Sequence, residues 1–420
     1  MKWASVLETP ADLSDSGDEG QGTVPELALR LGQSLVKTLL FKLGGVKPDF
    51  LVLFVSPDFK DKMELLSTYL QETLAPKAFI GCTGGGLIGG GQEVEHKSAI
   101  ALTGATMPGV QLKAFHIANE AIPDLDDAPD AWEKLLQVKG LEEPSFVILA
   151  DPFSFRIDAF VQGLDYAFSR SVKVGGLASG GHKAGENRLL AGDRVFRSGL
   201  VGVSMVGNVT VDSVVAQGCR AFGKVSRVTR CDRNLLYELD GKPAVAVLKE
   251  AVEKLSEKDQ KLAKDQLFIG VAMDEFKDKL VSGDFLVRSI IGIEPMSGAL
   301  LVGEVLRPER TVQFHLRDAH SSAQDINDLF SRYAQEKGGS AGPEDAGVKG
   351  ALLFSCLGRG EDLYGKSNHD SDCLRHYLGE IPIGGFFGNG EIGPVGKSTF
   401  LHGYTSSFGI FREKSKQEKH

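Results

Sequence analysis

Residues Ile381–Gly403 read IPIGGFFGNGEIGPVGKSTFLHG. An apolar segment runs into Gly384 and Gly385, a polar turn carries Asn389 and Glu391, Pro394 stiffens the exit, and Lys397, Ser398 and His402 follow. Seven glycines fall between residues 384 and 403, and each costs about 1 kcal/mol in a helix interior. The stretch therefore reads as a backbone held close to something, with a few polar side chains aimed at it.

Two stretches upstream have the same form: Ala78–Gly91 (AFIGCTGGGLIGGG) and Val172–Gly185 (VKVGGLASGGHKAG). Each turn is preceded by a short apolar run, LVLFVSPDF from Leu51, FVILADPFSF from Phe146 or ALLFSCLGRG from Ala351, and then by a helix-compatible segment. Each is followed by a further strand-like run, SAIALTGA from Ser98, SGLVGVSMVG from Ser198 or HGYTSSFGIF from His402. The interval from first run to turn is roughly thirty residues in all three, the length of one strand-helix-strand unit. The fold class expected is α/β, with two domains built from at least three such modules, glycine-rich turns and mixed sheets.

At 420 residues with 42% hydrophobic content, the chain is long enough for two or three domains with proper cores. Its 51 glycines exceed the usual share, and the surplus sits in these turns. A net charge of −9 leaves no basic stripe for a phosphate backbone, which argues against nucleic acid as a partner. Cysteines stand at 82, 219, 231, 356 and 373, an odd set without a CxxC pair, which fits a reducing compartment and argues against a disulfide framework or structural zinc. No apolar run reaches the roughly twenty residues of a membrane span. The opening MKWASVLETPADLSDSGDEG is acidic and lacks the pattern of a secretory or transit peptide. The expectation is a soluble intracellular protein, cytoplasmic by default with an organelle after processing left open, and with no cofactor.

Along the chain, Met1–Leu7 reads as a strand and Thr9–Thr23 as a polar acidic loop, in which Ser14 and Ser16 lie beside acids on a solvated tail. Leucines at helical spacing predict a helix over Pro25–Leu43. Residues 119–145 form an acidic connector, and the pattern resets around Arg230–Asn234. A long amphipathic helix is expected over Ala244–Leu262, followed by β runs from Phe268, Phe285, Ala299 and Thr311, a helix over Ser321–Glu336 and a flexible link from Gly338. The domain division is 1–24 (acidic segment), 25–230, 234–412 and 413–420 (charged tail).

Gly84, Gly86 and Gly89 satisfy G-x-G-x-x-G, but Gly89–Gly91 stand where a dinucleotide fold starts its helix. GEIGPVGKS approaches a phosphate loop, yet Glu391 occupies the required glycine position and a strand-like run follows. Cys356 ends an apolar strand beside Arg359, where cationic charge steadies a thiolate; His369, His376 and His402 are the nearby bases, none at a family spacing, so a buried or ligand-lining thiol outweighs a nucleophile. Glu93 and Glu95 share one strand face with His96 opposite, which fits a solvated or hydrogen-bonded strand edge better than a metal set. Arg288 and Arg317, embedded in apolar strands, need an anion: an internal carboxylate such as Asp318 or Glu391, or a ligand carboxylate.

These motifs together resemble the FIST proteins (F-box and intracellular signal transduction) along nearly the whole chain. KWAS at Lys2, LFVSPDF from Leu53, IGCTGGGLIGGGQEVE from Ile80, DPFSF from Asp151 and VGGLASGG from Val174 look like the family's N-terminal domain. GDFLVRSIIGIEP from Gly283, VQFHLRDA from Val312, LLFSCLGRG from Leu352 and the stretch from Ile381 look like its C-terminal domain. The resemblance implies a sensory role: binding a small ligand, amino acids among the candidates, and reporting it to signalling or ubiquitin-ligase parts. Residues 1–24 offer no leucine-rich F-box and no output module follows His420, so a separate signalling or ubiquitin-ligase partner is expected.

The reading is a ligand-binding sensory protein with a cleft where the glycine turns of both domains meet. The expected lining is Cys82, Thr83, Asp151, Cys356, Arg359, Asn389 and Glu391, with Arg359 holding a carboxylate and Glu391 an amine. No catalytic or metal-binding residue is assigned, and no membrane contact is expected. The rival readings are an enzyme using Cys356 and a protein-binding adaptor or scaffold.

Overall fold

The apolar run at Leu51 lies in a strand buried on both faces, and its period of two sorts the side chains between two layers. Phe50, Val52 and Phe54 enter one core cluster, while Leu51, Leu53 and Val55 enter another. The computed structural model describes residues 1–14, 23–275, 277, 279–280, 282–338 and 347–414. Ser16, most of the link after Gly338 and most of the charged tail fall outside them.

The first module comprises β1 (Lys2–Glu8), α1 (Pro10–Ser14), α2 (Val24–Leu43), β2 (Phe50–Val55), α3 (Met63–Leu74), β3 (Ala78–Thr83), a hairpin of β4 (Gly86–Gly89) and β5 (Gln92–Glu95), and β6 (Ile100–Thr106). The second repeats this order with β7 (Val110–Ile117), α4 (Pro129–Leu136), β8 (Ser145–Ala150), α5 (Ile157–Ala167), β9 (Lys173–Leu177), a hairpin of β10 (Leu189–Ala191) and β11 (Arg194–Phe196), and β12 (Leu200–Gly207). The third opens with β13 (Thr210–Ala216). Next come β14 (Cys219–Asp232), β15 (Leu235–Leu239), β16 (Lys242–Pro243), α6 (Ala244–Glu253), α7 (Glu257–Leu262), β17 (Leu267–Ala272), β18 (Phe285–Ile293), β19 (Leu300–Val302), β20 (Thr311–Arg317) and α8 (Ala319–Gly338). The third module then resumes with β21 (Val348–Cys356), α9 (Gly360–Tyr364), α10 (His369–Leu378), β22 (Ile383–Gly388), a hairpin of β23 (Glu391–Val395) and β24 (Ser398–His402), and β25 (Ser406–Arg412).

Two expectations change locally. The acidic loop begins with the short helix α1, and the single helix expected over Ala244–Leu262 is two, because Ser256 takes an extended conformation and its Oγ accepts from Asp259 N (3.2 Å) as the N-cap of α7.

Three six-stranded mixed sheets share one topology. Their orders are β1-β6-β2-β3-β10-β11, β7-β12-β8-β9-β23-β24 and β13-β25-β21-β22-β4-β5. In each, the two strands of the module's strand-helix-strand unit pair in parallel, and the neighbouring pairs are antiparallel. The last two strands of every sheet come from a different module. The first module gives its hairpin to the third, the third to the second and the second to the first, so the exchange closes in a ring. Each donated hairpin covers an edge that would otherwise expose unpaired backbone groups.

The equivalent glycines Gly81, Gly175 and Gly385 sit opposite Leu53, Ile148 and Leu353 in the parallel pairs. A Cβ there would lie 2.1, 1.8 and 1.8 Å from the carbonyl oxygens of those residues. Gly385→Ala is accordingly expected to destabilise the fold by about 1–3 kcal/mol through overpacking; an unchanged urea midpoint would contradict this packing.

The chain falls into two compact units, one of residues 1–215, 329–401 and 405–420, the other of residues 216–328 and 402–404. Packing thus groups the third module with the first two, across the linear boundary placed near Arg230–Asn234. In the second unit, β14, β20, β17, β18, β19 and β15 follow one another, and β14 also pairs with β15, closing an antiparallel barrel to which β16 is appended. Val312, Phe314 and Leu316 of β20 enter its apolar core. Arg288 finds the internal carboxylate it needs in Glu304 (2.7 Å) rather than Asp318 or Glu391, Arg317 lies over the Tyr404 ring (5.2 Å), and Asp318 accepts from Arg220 (2.9 Å).

Candidate functional site

In open α/β sheets ligands bind beyond the carboxyl ends of the parallel strands. In the first unit the three glycine turns meet there. Gly85 N donates to Ser179 Oγ (2.8 Å), Ser179 Oγ donates to Phe387 O (2.5 Å), Asn389 Nδ2 donates to Ala178 O (3.1 Å) and Leu177 N donates to Gly390 O (2.8 Å). At the carboxyl ends of β2, β8 and β21 the same register position carries Ser56, Asp151 and Cys356. Ser56 Oγ accepts from Ala99 N (3.0 Å), Asp151 accepts from Ser154 Oγ (2.6 Å) and Asn187 Nδ2 (3.0 Å), and Cys356 N donates to Thr405 O (2.9 Å). The fold repeats, but the chemistry at the three positions differs.

The third sheet holds the densest buried charge. Arg359, fully buried, donates from Nε to Asp370 Oδ2 (2.8 Å) and from Nη2 to Asp370 Oδ1 (3.1 Å) and to the Tyr364 hydroxyl (2.5 Å). Asp370 also receives Ser406 Oγ, and its Oδ1 lies 2.9 Å from His369 Nδ1. His369 stacks on Tyr364 at 3.4 Å, which in turn lies under the guanidinium. Burial alone pushes the Asp370 carboxyl up, but the Arg359 charge and the hydrogen bonds from His369, Arg359 and Ser406 overcome it and hold it well below the usual carboxylate range. Arg359 Nη1 is buried and has no hydrogen-bond partner among the described residues.

The hairpin given by the first module completes this cluster. Glu93 Oε1 accepts from both Ser371 N (2.8 Å) and Ser371 Oγ (2.6 Å), in the first turn of α10, and Glu93 N donates to Asn368 Oδ1 (2.6 Å). Glu95 Oε1 accepts from Glu361 N (2.9 Å) at the start of α9. Two strand carboxylates thus satisfy open N–H groups of two helices. Burial, then the neighbouring Asp370 charge, raises the Glu93 pKa to about 7 against the lowering effect of Ser371.

Of the expected lining, Cys356, Arg359 and Glu391 belong to one connected network. Glu391 Oε2 accepts from Thr405 N (3.1 Å) and Thr405 Oγ1 (2.7 Å), and the next residue, Ser406, reaches Asp370. Thr83 and Asp151 lie in a separate network joined through Asn187, whose Oδ1 is 3.4 Å from Thr83 Oγ1. Asn389 is exposed at the turn itself. Cys82 is buried in the central core, and burial raises its thiol pKa well above the ordinary value. Sequence reasoning missed Asp370, Tyr364 and Ser406, named His369 only as a candidate base for Cys356, and gave Glu93 and Glu95 a strand edge rather than helix caps. The signal available was the Asp-Ser pair at residues 370–371, next to the start of a helix.

The FIST N domain description matches residues 49–242 and the FIST C domain description residues 244–394. An uncharacterized protein of Mycobacterium tuberculosis (strain H37Rv) is 35% identical over 373 residues, covering 88% of this chain and 93% of the relative. An uncharacterized protein of Mycobacterium bovis is 33% identical over 374 residues, covering 88% and 92%. F-box only protein 22 of Homo sapiens is 48% identical over 43 residues, 10% of this chain and 11% of that protein. Among solved structures, cyanuric acid hydrolase from A. caulinodans aligns over 98% of this chain and 100% of its own, at 8% identity and a TM-score of 0.32. The chain belongs to the FIST family, whose domains are sensory domains of signal transduction thought to bind small ligands. Among the described residues no helix is long and apolar enough to cross a membrane.

Proposed function

We propose that this protein is a small-ligand-binding sensor whose ligand is amino-acid-like and binds at the Cys356–Arg359 end of β21. The observation that supports this is the Arg359 Nη1 group. A buried charged donor without an acceptor is rare and asks for an explanation, and two of the guanidinium's nitrogens already orient it rigidly against Asp370. A ligand carboxylate oxygen at Nη1 supplies the missing acceptor. The ligand's ammonium goes to Glu391, at the other end of the Thr405–Ser406 link. Because Arg359 is sealed from solvent, binding includes local opening of the half-buried Cys356 turn, which ties occupancy to a conformational change that a separate partner can read.

The test is a thermal-shift screen of the full chain against amino acids, keto acids and nucleotides, since a ligand specific to the native state raises Tm by mass action. Amino acids are expected to raise Tm. In Arg359→Lys, which keeps a cation for Asp370 but lacks the third forked nitrogen, the shift is expected to vanish while the far-UV spectrum stays native. A shift that persists in Arg359→Lys, or no shift with any compound, would overturn the reading and favour an adaptor whose ligand is another protein.

A further inference from the structure

Away from the strand ends, a cavity of about 340 Å³ opens where the first module's hairpin meets its host sheet. Its walls include Trp3 on β1, Lys42 near the end of α2, Gly91 at the hairpin tip, and Arg375, Glu380 and Pro382 on the path from α10 to β22. The volume is at the small-metabolite end of the range for ligand pockets. It shares none of the residues of the Arg359 network.

Its lining carries two cations, Lys42 and Arg375, and one carboxylate, Glu380, while Asp372 pairs with Arg375 from outside the lining. Lys42 Nζ makes a single hydrogen bond, to Ser5 O (3.2 Å), and has no carboxylate within ion-pair reach among the described residues. Arg375 Nη1 donates to Gly91 O (3.0 Å) and Nη2 binds Asp372. A Cβ at Gly91, whose φ is +85°, would stand 2.6 Å from Arg375 Nη1, so glycine is what lets the guanidinium lie on the turn. Glu380 contributes one negative charge at an exposed position. The third observation is the indole. Trp3 is 4% exposed, and its buried Nε1 has no hydrogen-bond partner among the described residues, although buried indole N–H groups usually find one.

We infer that this cavity is a second ligand site, for a small organic carboxylate: the carboxylate takes Lys42 and Arg375, the indole N–H donates to a polar atom of the ligand, and its carbon skeleton lies on Trp3 and Pro382. Such a ligand bridges the donated hairpin and the sheet that receives it, so it ties together the first and third modules. The inference does not depend on the Arg359 reading.

Tryptophan emission gives a local readout, because the chain has only two tryptophans and Trp132 packs in the second module's core. Titration of the full chain with succinate and with glutamate, at constant ionic strength set by chloride, is expected to give a saturable emission change that is absent in Trp3→Phe. Lys42→Gln, at an exposed position, is expected to leave the free protein's Tm unchanged and to weaken the apparent Kd by roughly tenfold or more, the loss of one charge-assisted hydrogen bond. Arg359→Lys is expected to leave this titration unaltered, which separates the two sites. The site is refuted if neither carboxylate gives a saturable change, if Lys42→Gln and Arg375→Gln both bind as well as the parent, or if inorganic phosphate binds more tightly than either carboxylate.

Discussion

Asp370→Asn is expected to lower the unfolding free energy by about 3–5 kcal/mol, since removing one partner of a buried ion pair strands the other charge. Arg359 is fully buried and donates two of its hydrogen bonds to Asp370, so asparagine leaves a guanidinium in the core with no counter-charge at that position. Ser406 and His369 lose a charged acceptor in the same step. A native stability on the order of 5–15 kcal/mol makes this a large fraction of the total. Urea denaturation followed by circular dichroism measures it, and a loss below about 1 kcal/mol would show that the pair is not an isolated buried charge pair. The double variant Arg359→Met, Asp370→Leu is expected to recover most of the loss, because an apolar pair of similar volume needs no desolvation of charge. Arg359→Ala is also expected to unfold much of the protein, which is why the lysine variant is the one suited to the binding test.

Glu93→Gln is expected to act in the opposite direction, with an effect that grows as pH rises from about 4.5 to about 7 and is full above it. The Glu93 pKa is raised from 4.5 to about 7 in the fold by burial first and by Asp370 second, with Glu95 adding to it and the two Ser371 donors opposing it. Between those values the native state binds more protons than the unfolded chain, so stability falls as pH rises through this window and levels off above about 7. The difference corresponds to about 3 kcal/mol at pH 8 relative to pH 4. Glutamine keeps an amide oxygen for Ser371 N and Ser371 Oγ without the charge. The variant is therefore expected to be more stable than the parent at pH 8, with a flatter profile from pH 5 to 8. Parallel stability profiles for the two proteins across that range would rule out titration of Glu93 there.

The repeated α/β modules, the glycine turns and the strand runs were legible because each rests on local pattern. FLVLFV alternates between two apolar layers, and Gly385 and its equivalents permit a backbone approach that any side chain would block. Placing Cys356, Arg359 and Glu391 together was also within reach, because polar residues that end apolar strands in repeated modules gather at one end of the fold. The partner of Arg359 was not legible. Asp370 lies eleven residues on, across α9, in a segment whose polar residues look like an ordinary helix start. Nor were Glu93 and Glu95 legible as helix caps, because Ser371 and Glu361 are more than 260 residues away.

What the sequence by itself determined is that at least three strand-helix-strand modules with glycine-rich turns follow one another, which rests on side-chain periodicity and backbone freedom over a few residues. Only the tertiary structure decided that each module lends its hairpin to another and that β14 and β15 close a barrel. It also decided that a carboxylate from the first module meets a helix of the third. Backbone hydrogen bonds are the same for every strand, so the choice of partner rests on which buried faces and charges fit once all the modules are packed.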